Sequence, residues 1–595
     1  MLKNIFITIL LICSVSGVWG QKSVKVKVSG NVITTDGVPA EFINIQLKNT
    51  FYGGTSDGKG YFEFMAPAGQ YTMIVQSIAA HRREFPVTIE EGKENHFADI
   101  EIRENINQLE QVVVTGQFSP QSMRNSLYKV RTVNSEQIRQ KAPTSVQSLL
   151  NTEIGIRLSN DMALGETDFE LMGMSGNNVK ILLDGIPLID RGATKQSLSQ
   201  LDVNSIERVE IVEGPMSVVY GTDALAGVIN IITKKGDGYS EENTWRVGAR
   251  VQEESMGKEY DFFKDKGLHN ESIDLGFNHK SGLFVNGGYT RNNHGGWQGD
   301  LTGREKRWHP KDQALMNGMF GFQNRNMNVW YRLDFLDEKI FGPNNGSELQ
   351  PEKVSDKDFL TKRYTHQLQS DWKLDNRLDV HAALSYQDYK RRTRTTESDL
   401  STGEKWLSSA EASQDITQYK AWIARATVAW NIAPEFSVQP GVEYQWTQGE
   451  GGRIDGTPKV SDLAFFLSAE YKPWEWLSLR PGVRTFIVAD YDAPIAIPSV
   501  LTKFKLTKHM DLRLSYAYGF RSPTLQELYF SFHNDNHDID GNPDLKAEYS
   551  HNITGSVAYR VLHSEKIHLT TTLSGFYNDF RDKISLAQNV DIPNY

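Results

Sequence analysis

Cysteine is nearly absent from this 595-residue chain, and its one example, Cys13, lies in an apolar run at the N-terminus. Beyond that residue the sequence excludes disulfide bonds and thiolate chemistry. Long apolar runs are also scarce: after the N-terminus no stretch of about 18 apolar residues predicts a transmembrane helix. Basic residues are not in excess, since the formal net charge is −10, which argues against a general nucleic-acid binder.

Signatures of the common enzyme classes are lacking as well. The chain contains no H-E-x-x-H and no P-loop Gly-Lys-Ser/Thr, so we expect neither catalysis nor a bound cofactor. What is present suits strands and turns. The chain has 48 glycines, 11% aromatic residues and a mean hydropathy of −0.46, and it is long enough for several domains.

The N-terminus is typical of a secretory signal peptide. Lys3 supplies the charged region, an apolar run ends at Cys13, and Gly20 closes a plausible cleavage site. We assign residues 1–20 to this segment and expect the mature chain outside the cytoplasm.

Residues 21–104 predict a small β-sandwich. Short β-prone runs alternate with turn sequences such as Asp36-Gly37, and six or seven strands within about 80 residues are typical of two packed sheets. The runs are 24–33, 41–48, 60–65, 70–77, 82–89 and 96–102.

Residues 117–235 predict a compact α+β region. Ser135 and Thr144 begin short segments with helix-capping residues. The pattern at 179–188 indicates a strand, an Asp-Gly turn and the start of a second strand. The pattern at 206–235 indicates a strand, a tight turn, a short helix and a buried strand.

From residue 236 to 595 the pattern changes to long strands of alternating polar and apolar residues. Their connections alternate between short and long, which is typical of a transmembrane β-barrel. Trp430, Trp474 and Trp476 flank short turns, as expected of an interfacial aromatic girdle. The short turns lie at 279–282, 324–326, 375–377, 433–435, 473–475, 508–510 and 563–564, and the longer connections at 254–269, 292–313, 337–362, 391–417, 448–461, 488–497 and 521–547.

The sequence VKILLDGIPL, followed by IERVEIVEGPMSVVYGTDALAGVINIITKK, closely resembles the plug domain of TonB-dependent outer-membrane receptors. The run VSGNVITTDGVPAEFINIQLKN resembles carboxypeptidase regulatory-like domains, which often precede the plug in receptors from Bacteroidetes. The resemblance implies a mainly β protein in the outer membrane of a Gram-negative bacterium. Its parts would be an N-terminal β-sandwich, an α+β plug and a large antiparallel barrel around the plug, in contact with outer-membrane lipid.

The same resemblance implies a role for residues 105–116. Such a β-prone segment can add to the edge of a partner's sheet through main-chain hydrogen bonds. The implied partner is TonB, with its inner-membrane energising complex. Four residues resemble the TonB box, which lies just ahead of the plug in this family: Val112, Val113, Val114 and Thr115.

We count fifteen strands in the barrel region, the last ending near Tyr577. Receptors with this plug resemble barrels of about 22 strands. We therefore expect the chain to lack roughly 100–150 residues at its C-terminus. The final residues, 589–595, contain a proline and show no alternation, and an unclosed barrel would leave backbone groups unpaired in lipid.

The last long loop carries the most ligand-suggestive sequence. Phe520-Arg521-Ser522-Pro523 and Asn542-Pro543-Asp544-Leu545 resemble the paired boxes that flank a histidine in haem receptors of this family. His533 and His537 lie between these boxes. By strand alternation Arg521 is expected to face the lumen, where it would meet an anionic chelate.

A ferric siderophore is the expected cargo, ahead of haem. The plug contains no histidine to act as a second axial ligand, so a group such as Met172 or Met174 would have to supply it. Family plugs usually carry an Arg-Gly pair where this chain has Met172-Gly173. Cobalamin, a small glycan or peptide, and a surface receptor or adhesin without transport are the alternatives.

Overall fold

The structure is a computed structural model of the chain. One compact unit extends to Glu110 and a second begins at Gln111. The signal peptide predicted at 1–20 lies outside the described residues. The structure describes residues 25–34, 39–40, 43–57, 59–77, 80–93, 95–102, 112–118, 121–123, 125–161, 166–190, 196–236, 243–375, 377–410, 412–451, 453–507, 509–534, 537–563 and 568–585.

The first unit is the predicted β-sandwich. Its seven strands are β1 (Lys25–Thr34), β2 (Asn44–Leu47), β3 (Gly53–Thr55), β4 (Tyr61–Pro67), β5 (Gly69–Ser77), β6 (Ala80–Ile89) and β7 (Asn95–Ile102). They form one sheet in the order β4-β1-β7 and another in the order β3-β2-β5-β6. Val32, Ile45 and Phe62 belong to one apolar core that both sheets share, because alternate residues of each strand point inward.

The second unit begins with the α+β plug region. Its main sheet has the order β10-β16-β17-β14-β15, in which β14 and β17 are parallel and the other neighbours are antiparallel. The strands are β8 (Val112–Val113), β9 (Gln121–Ser122), β10 (Lys129–Asn134), β11 (Ile156–Asp161), β12 (Glu166–Leu171), β13 (Met174–Ser175), β14 (Val179–Leu183), β15 (Ile186–Pro187), β16 (Ile206–Glu213) and β17 (Gly227–Thr233).

Local sequence explains the short helices and the tightest turn of this region. Reciprocal capping boxes begin the first two helices, at Asn134 and Ser145. Asp184 and Gly185 have φ of 50° and 84°, as the predicted Asp-Gly turn requires. No helix in the described part of the chain is long and apolar enough to cross a membrane. The α-helices are α1 (Ser135–Lys141), α2 (Val146–Leu150) and α3 (Ser217–Tyr220), and 3-10 turns lie at Gly176–Asn178, Gln196–Ser199 and Val203–Ser205.

The remaining strands in the described part of the chain form one large sheet and one small hairpin. They are β18 (Thr244–Glu254), β19 (Leu268–Asn278), β20 (Leu283–His294), β21 (Lys311–Gln323), β22 (Met327–Gly342), β23 (Lys353–Lys373), β24 (Leu378–Asp399), β25 (Lys405–Leu407), β26 (Ile416–Ala433), β27 (Phe436–Gly451), β28 (Lys459–Trp474), β29 (Leu477–Ala489), β30 (Ile497–Lys505), β31 (Met510–Arg521), β32 (Ser531–Asn534), β33 (His537–Asp540), β34 (Glu548–His563) and β35 (His568–Arg581), with helix α4 at Leu525–Tyr529. β25 pairs with β24, and β32 pairs with β33. The other fifteen strands pair antiparallel in chain order, which confirms the predicted number.

The connections alternate in length as predicted, but several strands are longer than expected. β23 and β24 have 21 and 22 residues, about twice the length that crosses a bilayer. Residues 391–399, expected in a loop, continue β24 because they pair with 353–361. The end of the sheet with the longer connections is the outer end, and the end with the short turns is the inner end.

Burial in the large sheet is the reverse of that in a soluble protein. Arg480 and Arg484 are among the largest fully buried side chains, whereas Trp245 is 75% exposed. Trp474 and Trp476 are exposed and stack on each other near the inner end, as the predicted aromatic girdle requires. Apolar groups outside and polar groups inside are the arrangement of a barrel wall in lipid.

The sheet curves around the plug region. Arg250 in β18, Gln387 in β24 and Ser574 in β35 each share a hydrogen bond with that region, at 2.9, 2.7 and 3.1 Å. Contacts from the first, middle and last strands show that the plug lies inside the curve of the sheet.

Candidate ligand-binding and coupling sites

The predicted coupling segment, Val112–Thr115, is docked on the plug through Glu210 of β16. The Glu210 carboxylate is fully buried and accepts hydrogen bonds from the Val114 N–H at 3.1 Å and from the Thr115 N–H and hydroxyl at 2.8 and 2.6 Å. Arg208 donates to the same carboxylate at 2.9 Å. If this segment adds as a strand to a partner's sheet, its main-chain donors must first leave Glu210.

Gly116, the next residue, is held from two sides. Its N–H donates to the Tyr220 hydroxyl at 3.2 Å, and its carbonyl accepts from Arg480 of the barrel wall. The Val113 side chain is buried in an apolar cluster that also contains Tyr220. The segment is therefore fixed to both the plug and the wall.

An inner cavity of about 490 Å³ lies between the plug and the inner part of the wall. Gly116 and Tyr220 border it on the plug side, and His381 and Arg425 border it on the wall side. The predicted coupling segment thus lies next to this inner cavity.

An outer cavity of about 150 Å³ lies on the other face of the plug. Lys180, Asp190 and Asp223 line it from the plug, and Asp462 and residues 522–525 line it from the wall and the last long loop. Burial lowers the pKa of the Lys180 ammonium, and the negative charges of Asp223 and Asp462 partly oppose this shift. The cavity therefore combines one buried cation with several carboxylates.

Helix α3 and the turn after it connect the two cavities. Val219 and Tyr220 border the inner cavity, while Thr222 and Asp223 border the outer one. The Thr222 hydroxyl also accepts a hydrogen bond from the Ser522 N–H at 2.8 Å. A ligand that moves the turn would therefore act on Tyr220, and through its hydroxyl on Gly116.

A buried ion-pair network holds the same helix to the wall. Glu443 is 3% exposed and accepts hydrogen bonds from Arg425 and from Arg484, the latter at 2.8 Å. Arg425 also donates to the Val219 carbonyl at 2.8 Å. One carboxylate thus compensates two buried guanidinium groups.

Replacing Glu443 by Gln is expected to destabilise the folded barrel by about 3 kcal/mol, because it leaves two buried guanidinium groups without their counter-charge. A folded barrel migrates on a gel as a compact band until heating unfolds it, and the temperature of this conversion should fall in the variant. Glu404→Gln, at an exposed outer position, is the matched control and should leave that temperature unchanged. Equal temperatures for the two variants would contradict the assigned role of Glu443.

Arg521 is buried, but its guanidinium is committed to neighbouring carboxylates. It donates to both oxygens of Glu527, at 2.8 and 3.0 Å, and to Glu548 at 2.9 Å. Only 2% of Arg521 is exposed. Two carboxylates therefore already neutralise the charge of Arg521 in this arrangement, and its expected contact with an anionic chelate stays a prediction.

Met172 and Met174 do not border the outer cavity in the described part of the chain. Met174 is 5% exposed within the apolar core of the plug, and Met172 packs against the same core with φ of 53°. Their use as axial ligands to a haem stays a prediction.

His533 lies on the hairpin β32–β33 and is exposed. Its Nε2 atom lies 3.0 Å from the Asp540 carboxylate and 3.1 Å from the Ser531 hydroxyl. The backbone of His537 pairs with that of Asn534, and its side chain lies outside the described residues. Within the described residues, no group of three or more His, Cys, Asp or Glu is placed to hold a metal ion. A ligand-binding role for these two histidines stays a prediction.

Three carboxylates of these sites were not singled out from the sequence. Glu210 stands between Val209 and Ile211, where alternation indicates a solvent-facing residue, although it is fully buried. Glu443 is one of the polar residues of an alternating strand, so its inward direction could be predicted from the sequence. Its arginine partners could not. Asp462, near the outer end of β28, has no local motif around it.

Three family models match the chain. A carboxypeptidase regulatory-like domain matches residues 28–114, the TonB-dependent receptor plug domain matches 122–228, and the TonB-dependent receptor-like β-barrel matches 439–595. The plug match includes Lys180, Tyr220 and Asp223, and the barrel match includes Asp462.

Curated and solved proteins agree with these matches. An iron-regulated outer membrane virulence protein of Vibrio cholerae is 25% identical over 508 residues, which cover 80% of this chain and 69% of the relative. The vitamin B12 transporter BtuB of Vibrio vulnificus is 32% identical over 139 residues, or 23% of each chain. The ferric enterobactin receptor PfeA of Pseudomonas aeruginosa superposes with a TM-score of 0.58 at 17% identity, over 79% of this chain and 73% of that one. The chain therefore belongs to the TonB-dependent receptors, which are proteins of the Gram-negative outer membrane and not enzymes.

Proposed function

We propose that this receptor imports a ferric siderophore into the periplasm, driven by TonB and its inner-membrane energising complex. The observation that carries the proposal is the position of the coupling segment. Val112–Thr115 is docked beside the inner cavity, and Tyr220, which holds the next residue, is two positions from the turn that lines the outer cavity. A receptor or adhesin that only binds at the surface has no use for such a segment on the inner face.

The proposed sequence of events follows from these contacts. A chelate in the outer cavity displaces the turn at Thr222 and Asp223, and Tyr220 moves with it. The segment then leaves Glu210, and its freed N–H and C=O groups add as a strand to the sheet edge of TonB.

The choice of cargo is supported by the relatives. The Vibrio cholerae relative is named as iron-regulated, and PfeA is a ferric enterobactin receptor. Haem is the second candidate because of the two boxes around residues 520–523 and 542–545. Cobalamin is the third, since BtuB is the relative with the higher identity over a shorter region.

A growth panel tests the cargo directly. A deletion strain should fail to grow when ferric siderophores are the sole iron source and should grow normally on excess free iron. Growth on haem and cobalamin-dependent growth should be unaffected. Complementation by the intact gene should restore growth, whereas complementation by a gene lacking the codons for Val112–Thr115 should not, although the receptor still reaches the outer membrane.

Each other outcome identifies a different function. Loss of growth only on haem would replace the siderophore by haem, and loss only of cobalamin-dependent growth would replace it by cobalamin. Full restoration by the variant without Val112–Thr115 would show that import does not depend on this segment. Normal growth of the deletion strain on every source would favour the surface receptor without transport.

A further inference from the structure

The outer cavity has an unusual charge for a receptor of anionic iron chelates. Asp190, Asp223 and Asp462 line it, against one cation, Lys180. Among the described residues that line the cavity there is no arginine and no histidine. The last long loop, 521–547, of which residues 522–525 line the cavity, has five Asp or Glu residues against one Arg and one Lys.

The three carboxylates differ in what they already bind. Asp190 accepts hydrogen bonds from the Ser197 N–H and hydroxyl, both at 2.8 Å, and lies 3.7 Å from Arg363. Asp223 accepts one hydrogen bond, from the Thr222 hydroxyl at 2.8 Å. Asp190 is therefore satisfied within the protein, whereas Asp223 retains most of its acceptor capacity.

Asp462 is the decisive group. It is 8% exposed and lines the cavity, and within the described residues no hydrogen bond or ion pair reaches its carboxylate. The Tyr491 hydroxyl is buried without a hydrogen-bond partner in the described part of the chain. The Asp462 oxygens stay open to the cavity as acceptors, and a ligand that carries a donor there would complete their hydrogen bonding.

Lys180 also lines the cavity, but no hydrogen bond joins it to Asp223 or Asp462 among the described residues. Its buried ammonium donates to the Thr222 carbonyl at 3.0 Å. It offsets part of the negative charge but leaves the carboxylates of Asp223 and Asp462 available to a ligand.

Resting on the proposed function, we infer that the outer cavity binds an ammonium group of the cargo between Asp462 and Asp223, so that the cargo is a cationic or neutral iron chelate. Charge-assisted hydrogen bonds from an ammonium to carboxylates are the strongest that such a cavity offers. A polyanionic chelate would meet two like charges in a place of low effective dielectric, where repulsion is greatest.

Three ferric chelates test this inference on the purified full-length receptor. The first is the ferric complex of desferrioxamine B, a tris-hydroxamate with one free ammonium group. The second is its N-acetylated form, which lacks only that charge, and the third is a ferric tris-catecholate of charge −3. The ammonium chelate should bind about tenfold more tightly than the acetylated one, as expected for hydrogen bonds to charged groups, and the tris-catecholate should bind most weakly.

Asp462→Asn should remove most of this preference, so that the affinities for the two hydroxamates become nearly equal. Glu348→Gln, an exposed carboxylate on an outer loop, should retain the preference and controls for bulk charge. Equal binding of the two hydroxamates, tightest binding of the tris-catecholate, or an unchanged preference in Asp462→Asn would overturn the inference while leaving iron-chelate import intact. A receptor that binds none of the three chelates would overturn it as well, and the growth panel then shows whether the proposed function fails with it.

Discussion

Replacing Val113 by proline is expected to abolish energised uptake while leaving ligand binding at the cell surface intact. Proline removes the main-chain donor at position 113 and fixes φ, so a strand formed by Val112–Thr115 would lose a ladder hydrogen bond and its regular geometry. A loss of about 3 kcal/mol would weaken association with TonB by roughly a hundredfold. Uptake and surface binding of radiolabelled chelate in the same cells measure the two quantities separately.

The docked position of Val113 decides how a loss of uptake is interpreted. Val113 is buried against the plug and pairs with Gln121, so proline also weakens docking of the segment. Lost uptake therefore cannot arise from a segment that is held more tightly. Val113→Ile keeps the N–H group and the β-branched shape and should transport normally. Normal transport by the proline variant would contradict strand addition at this segment.

Local sequence patterns predicted the parts of the fold that depend on local rules. Helix-capping residues marked the starts of α1 and α2, and the Asp-Gly pair marked the turn at 184–185. Alternating residues and turn sequences marked the fifteen strands of the wall. The outer extension of β24 was missed. Its residues 391–399 are mostly polar because neither face of this extension is buried in lipid, so alternation vanishes although pairing with β23 continues. The total of about 22 strands and the missing C-terminus stay predictions.

Local sequence patterns predicted only part of each candidate site. The coupling segment and the box at 520–523 were found because each resembles a family motif. Their partners were not, because Glu210 is about a hundred residues from the segment that it binds, and no local signal marks a contact of that separation. Arg521 shows the converse: its inward direction follows from alternation, but its neutralisation depends on Glu527 in a helix after the strand.

Replacing Glu210 by Ala is expected to release the coupling segment without ligand. In the docked state the variant would leave the N–H groups of Val114 and Thr115 and the Thr115 hydroxyl without the acceptor that they now share. Each unpaired buried donor costs about 1–3 kcal/mol, so a total near 3 kcal/mol would shift the balance toward the released state about a hundredfold. Val114→Cys provides the measurement, because the chain has no cysteine beyond the predicted signal peptide and the new thiol reports accessibility alone.

The neighbouring carboxylate supplies the matched control. Glu207 is half exposed and pairs with Arg208 at 2.8 Å, the same arginine that contacts Glu210, so Glu207→Ala alters the local charge in the same way without removing an acceptor from the segment. In the Val114→Cys background, thiol labelling from the periplasmic side should be fast in Glu210→Ala and should stay slow in Glu207→Ala. Both variants should keep the heat-modifiable migration of a folded barrel. Equally slow labelling in the two variants would show that Glu210 does not hold the segment. Equally fast labelling would show that the local charge, and not the hydrogen bonds to Glu210, governs its release.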